Sequence, residues 1–382
     1  MRVGGDWLTH PGTQALCTAL VAASYRALFV GGCVRNAILG EPVADVDLTT
    51  DARPEAVTKL AEAAGFKVVP TGIDHGTVTV IAGGKPHEVT TFRRDVETDG
   101  RRAVVAFSTL IEEDAQRRDL TMNALYADAD GQVIDPLGGL PDTLARRVRF
   151  VGDPETRIRE DYLRILRFFR FHAAYGDPTG GLDAEGLAAC AALADGMTHV
   201  SRERIGAEMR KLLTAPDPAP AVAAMAQSGV LAHVLPGADT RALAPLVHLE
   251  GDLPPKWLRR LAVLGGEVEG LRLSRQEDAD LGRIRDLLGA PHGSAPLGWL
   301  LGAELSEDTL LARAATLETP LPPHWRAEVT RGAAASFPVT AADLMPALQG
   351  PALGARLKAL QDRWLRSDLR LDKPGLLQGS DD

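Results

Sequence analysis

The chain has 382 residues, 45% hydrophobic and 24% charged, with a mean hydropathy of −0.05. This is a globular composition with material for two to four packed units, and no apolar run approaches the ~18–20 residues of a membrane span. A formal net charge of −9 and a pI near 5.6 taken alone argue against an RNA binder. Position matters more than the sum, however, and Arg146, Arg147, Arg149, Arg157, Arg159, Arg164, Arg167 and Arg170 crowd one stretch, with Arg202, Arg204, Arg210 and Lys211 following.

Residues 1–7 carry no signal-peptide pattern. Cys17, Cys33 and Cys190 fit neither metal spacing nor a disulfide framework, so the chain reads as soluble and cytoplasmic. Residues 8–27 read as a helix, with Leu16, Leu20 and Val21 at helical spacing. Leu28–Val30 is a short strand that runs into Gly31-Gly32, with Arg35 on the first turn of a following helix. Glycines after a strand let backbone N–H groups face a phosphate, the helix start adds its positive end, and a guanidinium offers a planar fork. Asp45 and Asp47 stand two apart in the next apolar run, so in a strand they share a face. Paired carboxylates suit a hard cation such as Mg²⁺, and a phosphate cradle beside them suggests phosphoryl or nucleotidyl transfer with two metals.

Residues 53–65 look helical, opened by Pro54 and closed by Gly65, and Phe66–Val69, Thr77–Ile81 and His87–Phe92 read as strands. Glu88 in the last of these is a candidate third carboxylate beside Asp45 and Asp47. Arg94 to Ser108, with Asp95, Glu97, Asp99, Gly100, Arg101 and Arg102, is polar and without period, and reads as a mobile surface loop. Glu113–Ala124 leaves open a helix running into a strand, and Ile134–Asp142 is a turn-rich link. In Glu160–Phe171, an amphipathic segment, Asp161, Arg164 and Arg167 fall three apart along one helical face. That spacing suits a solvated ion pair. It also suits a base reader: a carboxylate only accepts hydrogen bonds and an arginine only donates, which together match cytosine or adenine. Uracil and guanine would set a carbonyl against the carboxylate, at roughly 1–3 kcal/mol per lost bond. Ser201 reads as the N-cap of a further helix. From residue 212 on the pattern is nearly all helix, punctuated by prolines.

Gly31-Gly32 followed by Asp45-x-Asp47 resembles the signature of polymerase-β-like nucleotidyltransferases. The fuller string Gly-Gly-x-Val-Arg, Leu39-Gly40, Asp-x-Asp resembles one branch of it, the bacterial class II CCA tRNA nucleotidyltransferases and related poly(A) polymerases. Arg117-Arg118-Asp119-x-Thr-x-Asn123-Ala resembles that family's second motif. Glu160-Asp161-x-x-Arg164 resembles its protein template for choosing CTP and ATP, and the helix from Ser201 resembles the one supporting that template. The likeness is strong over residues 28–245 and weak in the tail. It implies an α+β fold: a polymerase-β-like head with a mixed sheet over 1–140, then an all-α neck (141–215), body (216–335) and a tRNA-binding tail (336–382). It implies that Asp45, Asp47 and Glu88 serve catalysis and that Asp45 and Asp47 hold Mg²⁺. Nucleotide would contact Gly31, Gly32, Arg35, Arg118, Asp161, Arg164, Arg167 and Arg170, with Asp119 and Asn123 holding local backbone and His75 a structural or primer-side residue. CTP and ATP are the implied substrates and tRNA the implied partner, with no obligatory protein partner and no membrane. The 94–108 segment resembles the flexible loop of complete CCA-adding enzymes. Asn36 departs from the family, which has Asp after Val-Arg. An intact role for Asn36 requires that this residue act through hydrogen bonds rather than charge. A poly(A) polymerase or A-adding relative shares every motif named, and a catalytically silent RNA-binding relative is the reading of another class.

Overall fold

A computed structural model describes residues 1–99 and 102–378. It divides into two compact units. One spans Met1–Leu212 with Pro220–Val234, the other Leu213–Ala219 with Leu235–Asp382. In chain order the first unit opens with α1 (Asp6–Thr9), α2 (Pro11–Ala22), β1 (Leu28–Val30), α3 (Gly32–Leu39), β2 (Asp47–Thr50) and α4 (Pro54–Ala63). Next come β3 (Lys67–Gly72), β4 (Thr77–Ala82), β5 (Lys85–Thr91), β6 (Arg93–Asp99), β7 (Arg102–Phe107), α5 (Ile111–Gln116), β8 (Tyr126–Ala127) and β9 (Val133–Ile134). Helices follow: α6 (Leu140–Leu144), α7 (Pro154–Glu160), α8 (Leu163–Tyr175), α9 (Ala184–Ala192) and α10 (Arg202–Leu213).

The expected helix over 8–27 is two helices, because Pro11 cannot donate into a preceding turn and instead starts α2, capped by His10 accepting from Thr13 N. The head sheet has the order β3-β4-β5-β2-β1-β8-β9. Only β2 and β5 run parallel, and every other neighbouring pair is antiparallel, which makes the sheet mixed. Leu48, Val78, Val80 and Val89 point to one face and pack with Leu16, Leu20, Val57 and Ala61 of α2 and α4 into a closed core. Their strand neighbours Asp47, Thr49, Thr79, Glu88 and Thr90 therefore emerge on the other face. Period two in three adjacent strands thus builds a polar face over an apolar one.

The 94–108 segment is not a structureless loop. It is a hairpin, β6 against β7, paired from Arg93↔Phe107 to Asp99↔Arg102, with Gly100 and Arg101 outside the described residues. Its returning arm, Ala-Val-Val-Ala-Phe, has the β-branched and aromatic content of a strand, a signal hidden by the charges of the outgoing arm.

The second unit is helical: α11 (Ala219–Gln227) and α12 (Val230–Val234) lead up to it, and α13 (Leu243–Glu250), α14 (Trp257–Leu264), α15 (Arg275–Leu288), α16 (Ser294–Leu317), α17 (Trp325–Ala333), α18 (Gly350–Arg366) and α19 (Lys373–Gln378) form it. Helices α16 and α17 pack so closely that a Cβ on Gly332 would stand 1.9 Å from the Ala295 carbonyl oxygen. Among the described residues no helix is long and apolar enough to cross a membrane.

This unit is centred on buried ions. Glu250 accepts from Arg259 Nε at 2.7 Å and from Arg260 Nη2 at 2.6 Å, and Arg259 also donates to Asp308 at 3.0 Å. Arg260 further donates to the carbonyls of Leu213 and Ala215. Glu250→Ala is expected to cost roughly 3–5 kcal/mol, because two buried guanidinium groups lose a shared acceptor. A lowered midpoint in urea, followed by helical circular dichroism, checks it.

Candidate active site

Strand β1 ends at Gly31, which has φ +69 and ψ −116 and caps α3. That left-handed backbone favours glycine, and it leaves the first amides of α3 facing outward without a side chain in front. Gly31 N itself donates to the Leu125 carbonyl, tying the turn to the chain before β8. A Cβ on Gly31 would lie 3.6 Å from Arg118 Nη1, so the second motif's arginine stands at the glycine turn. Arg118 is held there by Asp114 Oδ2 at 2.9 Å and by the Tyr126 hydroxyl at 3.1 Å. Burial alone would raise the Asp114 carboxyl, but Arg118 and Arg117 overcome it and hold the group below the usual carboxylate range.

Asp47 opens β2, and its parallel partner on β5 is Glu88. Asp45 lies before the strand rather than in it. On the β1 side the pairing stops there, because β1 is only three residues long and gives way to the Gly31 turn. The three carboxylates still act on one another. Burial first, then Glu88 and Asp45, push the Asp47 carboxyl up to about 6, with Arg118 pulling the other way. A cleft of about 980 Å³ opens beside these carboxylates, lined also by Glu41, Val43, Thr79 and Lys85. Among the described residues no group of three or more histidine, cysteine or carboxylate side chains is already arranged to hold a metal ion. His75 sits in the turn before β4, where its carbonyl accepts from Arg93 Nη1.

Arg35 is placed differently from the expectation. Its side chain is buried at 6% exposure and turned inward. Nε and Nη2 donate to Asn36 Oδ1 (3.1 and 2.8 Å), Nη1 to Asn123 Oδ1 (2.5 Å) and Nη2 to the Tyr175 hydroxyl (2.9 Å). The guanidinium lies 4.1 Å from the Tyr175 ring centre and 5.1 Å from that of Phe171. With four hydrogen bonds donated inside the fold and two rings of α8 beside its guanidinium, Arg35 joins the head to that helix and is turned inward. Asn123 and Asp119 likewise hold side chains as much as backbone: Asp119 accepts from Asn123 Nδ2 at 3.0 Å and from Arg167 Nε at 2.6 Å.

The segment expected to read the base is not one helix. Helix α7 ends at Glu160, Asp161 is extended (φ −158, ψ 103), and α8 begins at Leu163. The i,i+3 ion pair that the spacing of Asp161 and Arg164 would allow is replaced by separate partners. Asp161 Oδ1 accepts from Leu163 N at 3.1 Å and Oδ2 from Arg204 Nη2 at 2.6 Å. Arg164 donates to Glu160 Oε2 at 2.5 Å and to the carbonyls of Arg157 and Arg117. Arg170 is held by Glu208 at 2.5 Å. The sequence named Glu160 within its motif and Arg204 in a basic run but not the partners they hold, and Glu208 was not singled out; of these pairings only 160/164 has a local i,i+4 signal. The arginines from Arg146 to Arg170 that cluster in the sequence each meet a carboxylate, so the stretch is laced with ion pairs rather than forming an uncompensated basic surface.

The glycine turn and the Asp161–Arg170 segment thus adjoin through residues 116–119. Against known families, residues 27–149 match the poly A polymerase head domain, and 182–241 match the probable RNA and SrmB-binding site of polymerase A. The mouse mitochondrial CCA tRNA nucleotidyltransferase 1 is 33% identical over 387 residues, covering 96% of this chain and 89% of that one. The chain belongs to the CCA tRNA nucleotidyltransferase family. The CCA-adding enzyme of Geobacillus stearothermophilus is 41% identical over 215 residues, 56% of this chain and 51% of that one. The crystal structure of the Bacillus stearothermophilus CCA-adding enzyme in complex with CTP matches with TM-score 0.73 at 29% identity, covering 94% of this chain and 93% of that one. A Thermotoga maritima CCA-adding enzyme complexed with tRNA shares the fold at TM-score 0.69 and 18% identity, over 99% of this chain and 95% of that one. The head is accordingly the polymerase-β-like fold of the CCA tRNA nucleotidyltransferases, and the remainder is the helical part of that family.

Two outcomes follow from this geometry. Gly31→Ala forces a Cβ into a left-handed backbone and is expected to cost about 1–3 kcal/mol and to weaken CTP binding, read by calorimetry. Asp47 is raised in the folded chain above its unfolded value of about 3.9. Its contribution to stability is therefore complete below about pH 4 and is lost as pH rises through about 6. In metal-free buffer, stability is expected to fall across that window by on the order of 1–3 kcal/mol. Asp47→Asn should remove the slope in thermal melts taken from pH 4 to 7.

Proposed function

We propose that this chain adds C, C and A to the 3′ end of tRNA from CTP and ATP, without a nucleic-acid template. The observation that carries the reading is the adjacency, within one compact unit, of the carboxylate and glycine site to the Asp161/Arg164 acceptor and donor. The RNA 3′ oxygen attacks the α-phosphorus, a new P–O bond forms, the bond to the β,γ-phosphates breaks, and pyrophosphate leaves with the hydroxyl proton lost to solvent.

The residues fit magnesium. All the candidate donors are oxygen, and Asp47 carries a proton affinity raised by burial and like charges, a condition a cation relieves. Asp45 and Asp47 would hold two such ions, which supply Lewis-acid stabilisation of developing charge when bound. The chain's own groups orient the substrate. The Gly31 turn leaves the amides at Gly32 and the start of α3 to face the triphosphate, Arg118 adds a fixed positive charge at the same turn, and Glu88 supports Asp47 from the neighbouring strand. Asp161 accepts from the amino group of cytosine or adenine while Arg164 donates to the ring. Arg167 and Arg170 bound the same pocket, each steadied by Glu208.

We retain the four-part division into head, neck, body and tail, with tRNA lying along neck and tail through backbone and shape, and a cytoplasmic enzyme that needs no protein partner. Purified chain incubated with Mg²⁺ and tRNA lacking its last three nucleotides is expected to add two residues with CTP alone. With CTP and ATP together it should add three and stop. Long tails from ATP alone would make it a poly(A) polymerase, and no extension with any nucleotide would leave a binding role. Asp47→Ala is expected to lower the rate at least about a thousandfold, consistent with loss of a metal-holding carboxylate.

A further inference from the structure

A base-reading carboxylate and a base-reading guanidinium three residues apart carry a hazard. Opposite charges at i,i+3 on a helix attract each other, and a pair closed on itself has no free lone pair or N–H for a base. The structure holds the two apart by giving each a different partner. Glu160, one turn before Arg164, takes the guanidinium. Asp161 is pulled the other way, by Arg204 at 2.6 Å. The extended backbone at Asp161 makes this possible, since it lifts the residue out of α7 and away from the face of α8.

Arg204 does not act by itself. It lies on α10 one turn before Glu208, and the two present a cation and an anion to the template in matching order: Arg204 to Asp161, Glu208 to Arg170 and Arg167. The side chains of Arg204 and Asp161 remain 43% and 28% exposed, so the carboxylate is reachable by a ligand while being held. One of its oxygens caps α8 through Leu163 N and the other meets Arg204. A carboxylate oxygen has a second lone pair, so Oδ2 can accept from Arg204 and from an exocyclic amino group together.

We propose that Arg204 is a positioning residue for nucleotide selection: it keeps Asp161 from closing on Arg164, so that carboxylate and guanidinium stay apart as an open acceptor and donor for an amino-bearing base. The inference rests on the base-reading role of Asp161 and Arg164 proposed above. It makes discrimination between CTP or ATP and UTP or GTP depend on a residue that touches no nucleotide.

The test is single-nucleotide addition to tRNA lacking its last three nucleotides or its last one, with each of the four triphosphates. The enzymes are wild type, Arg204→Gln, Arg204→Lys, Asp161→Ala and the double variant Asp161→Ala/Arg204→Gln. Arg204→Gln is expected to raise KM for CTP and ATP about tenfold while leaving UTP and GTP insertion nearly unchanged, so that discrimination drops by about the same factor. Arg204→Lys should recover part of it. In the double variant the loss should be no larger than in Asp161→Ala alone, because both act through one carboxylate. Equal losses for all four nucleotides, an additive loss in the double variant, or no change in Arg204→Gln each overturn the proposal. If Asp161→Ala itself keeps full discrimination, the base-reading assignment falls with it. If Asp161→Ala loses discrimination and Arg204→Gln does not, only the role of Arg204 falls. Thermal melts accompany each variant, and Arg204→Lys carries the comparison should Arg204→Gln be unfolded at the assay temperature.

Discussion

The repulsion between Asp47 and Glu88 is the constraint around which the first unit is arranged. Parallel pairing of β2 with β5 sets the two side chains on the same face at neighbouring positions, and no rotation of the strands can separate them without breaking the pairing that closes the core beneath. That core is the other half of the arrangement. Leu48 and Val89, each next in sequence to a carboxylate, are fully buried against α2 and α4. A slip of one residue would bury Asp47 and expose Leu48. The apolar face therefore fixes the polar one, and the chain folds with two anions adjacent because the alternative register loses far more apolar burial than the repulsion costs.

The opposite problem, too many cations, is handled by pairing. Eight arginines from Arg146 to Arg170 would repel one another along this stretch, and each is given a carboxylate instead, from Glu41 on the α3–β2 connection to Glu208 on α10. Several of these pairs are half-buried and contribute orientation more than net stability. Their effect is to aim each guanidinium in one direction. The acidic overall charge and the arginine-rich stretch are consistent with each other on this account, since the excess carboxylates are in part the partners of those arginines.

Much of this was legible in the residues. The glycine turn, the carboxylates and the short strands follow from local chemistry, and Pro54 and Gly65 bracket α4 nearly to the residue. What could not be read were partners distant in sequence. Arg35 looks like a phosphate ligand because its neighbours are glycines, and only the fold brings Tyr175 across it, 140 residues later. The break at Asp161 is hidden for a related reason. Periodicity runs smoothly through 160–171, while the helix is interrupted to let Asp161 meet Arg204 and cap α8 through Leu163 N. The hairpin at 93–107 was obscured by charge in one arm, where pairing with an apolar arm overrides local polarity.

Asn36 shows how a departure from a family pattern can be absorbed. Its single carbonyl oxygen accepts from both Nε and Nη2 of Arg35, where a carboxylate could set one oxygen against each, and its amide donates to the Pro42 carbonyl at 2.7 Å. A carboxylate in that place could not make the second bond. What the amide gives up is charge, and Arg35 bears the consequence: burial lowers its proton affinity, with Tyr175 and Asp119 working against that. Two aromatic faces supply the remaining compensation, through the attraction of a cation to the ring quadrupole. The amide also links the loop that carries Asp45 to Arg35, and through Arg35 to Asn123, Asp119 and Arg167. A residue that acts through geometry in this way can be neutral, because what it transmits between the Asp45 loop and α8 is position.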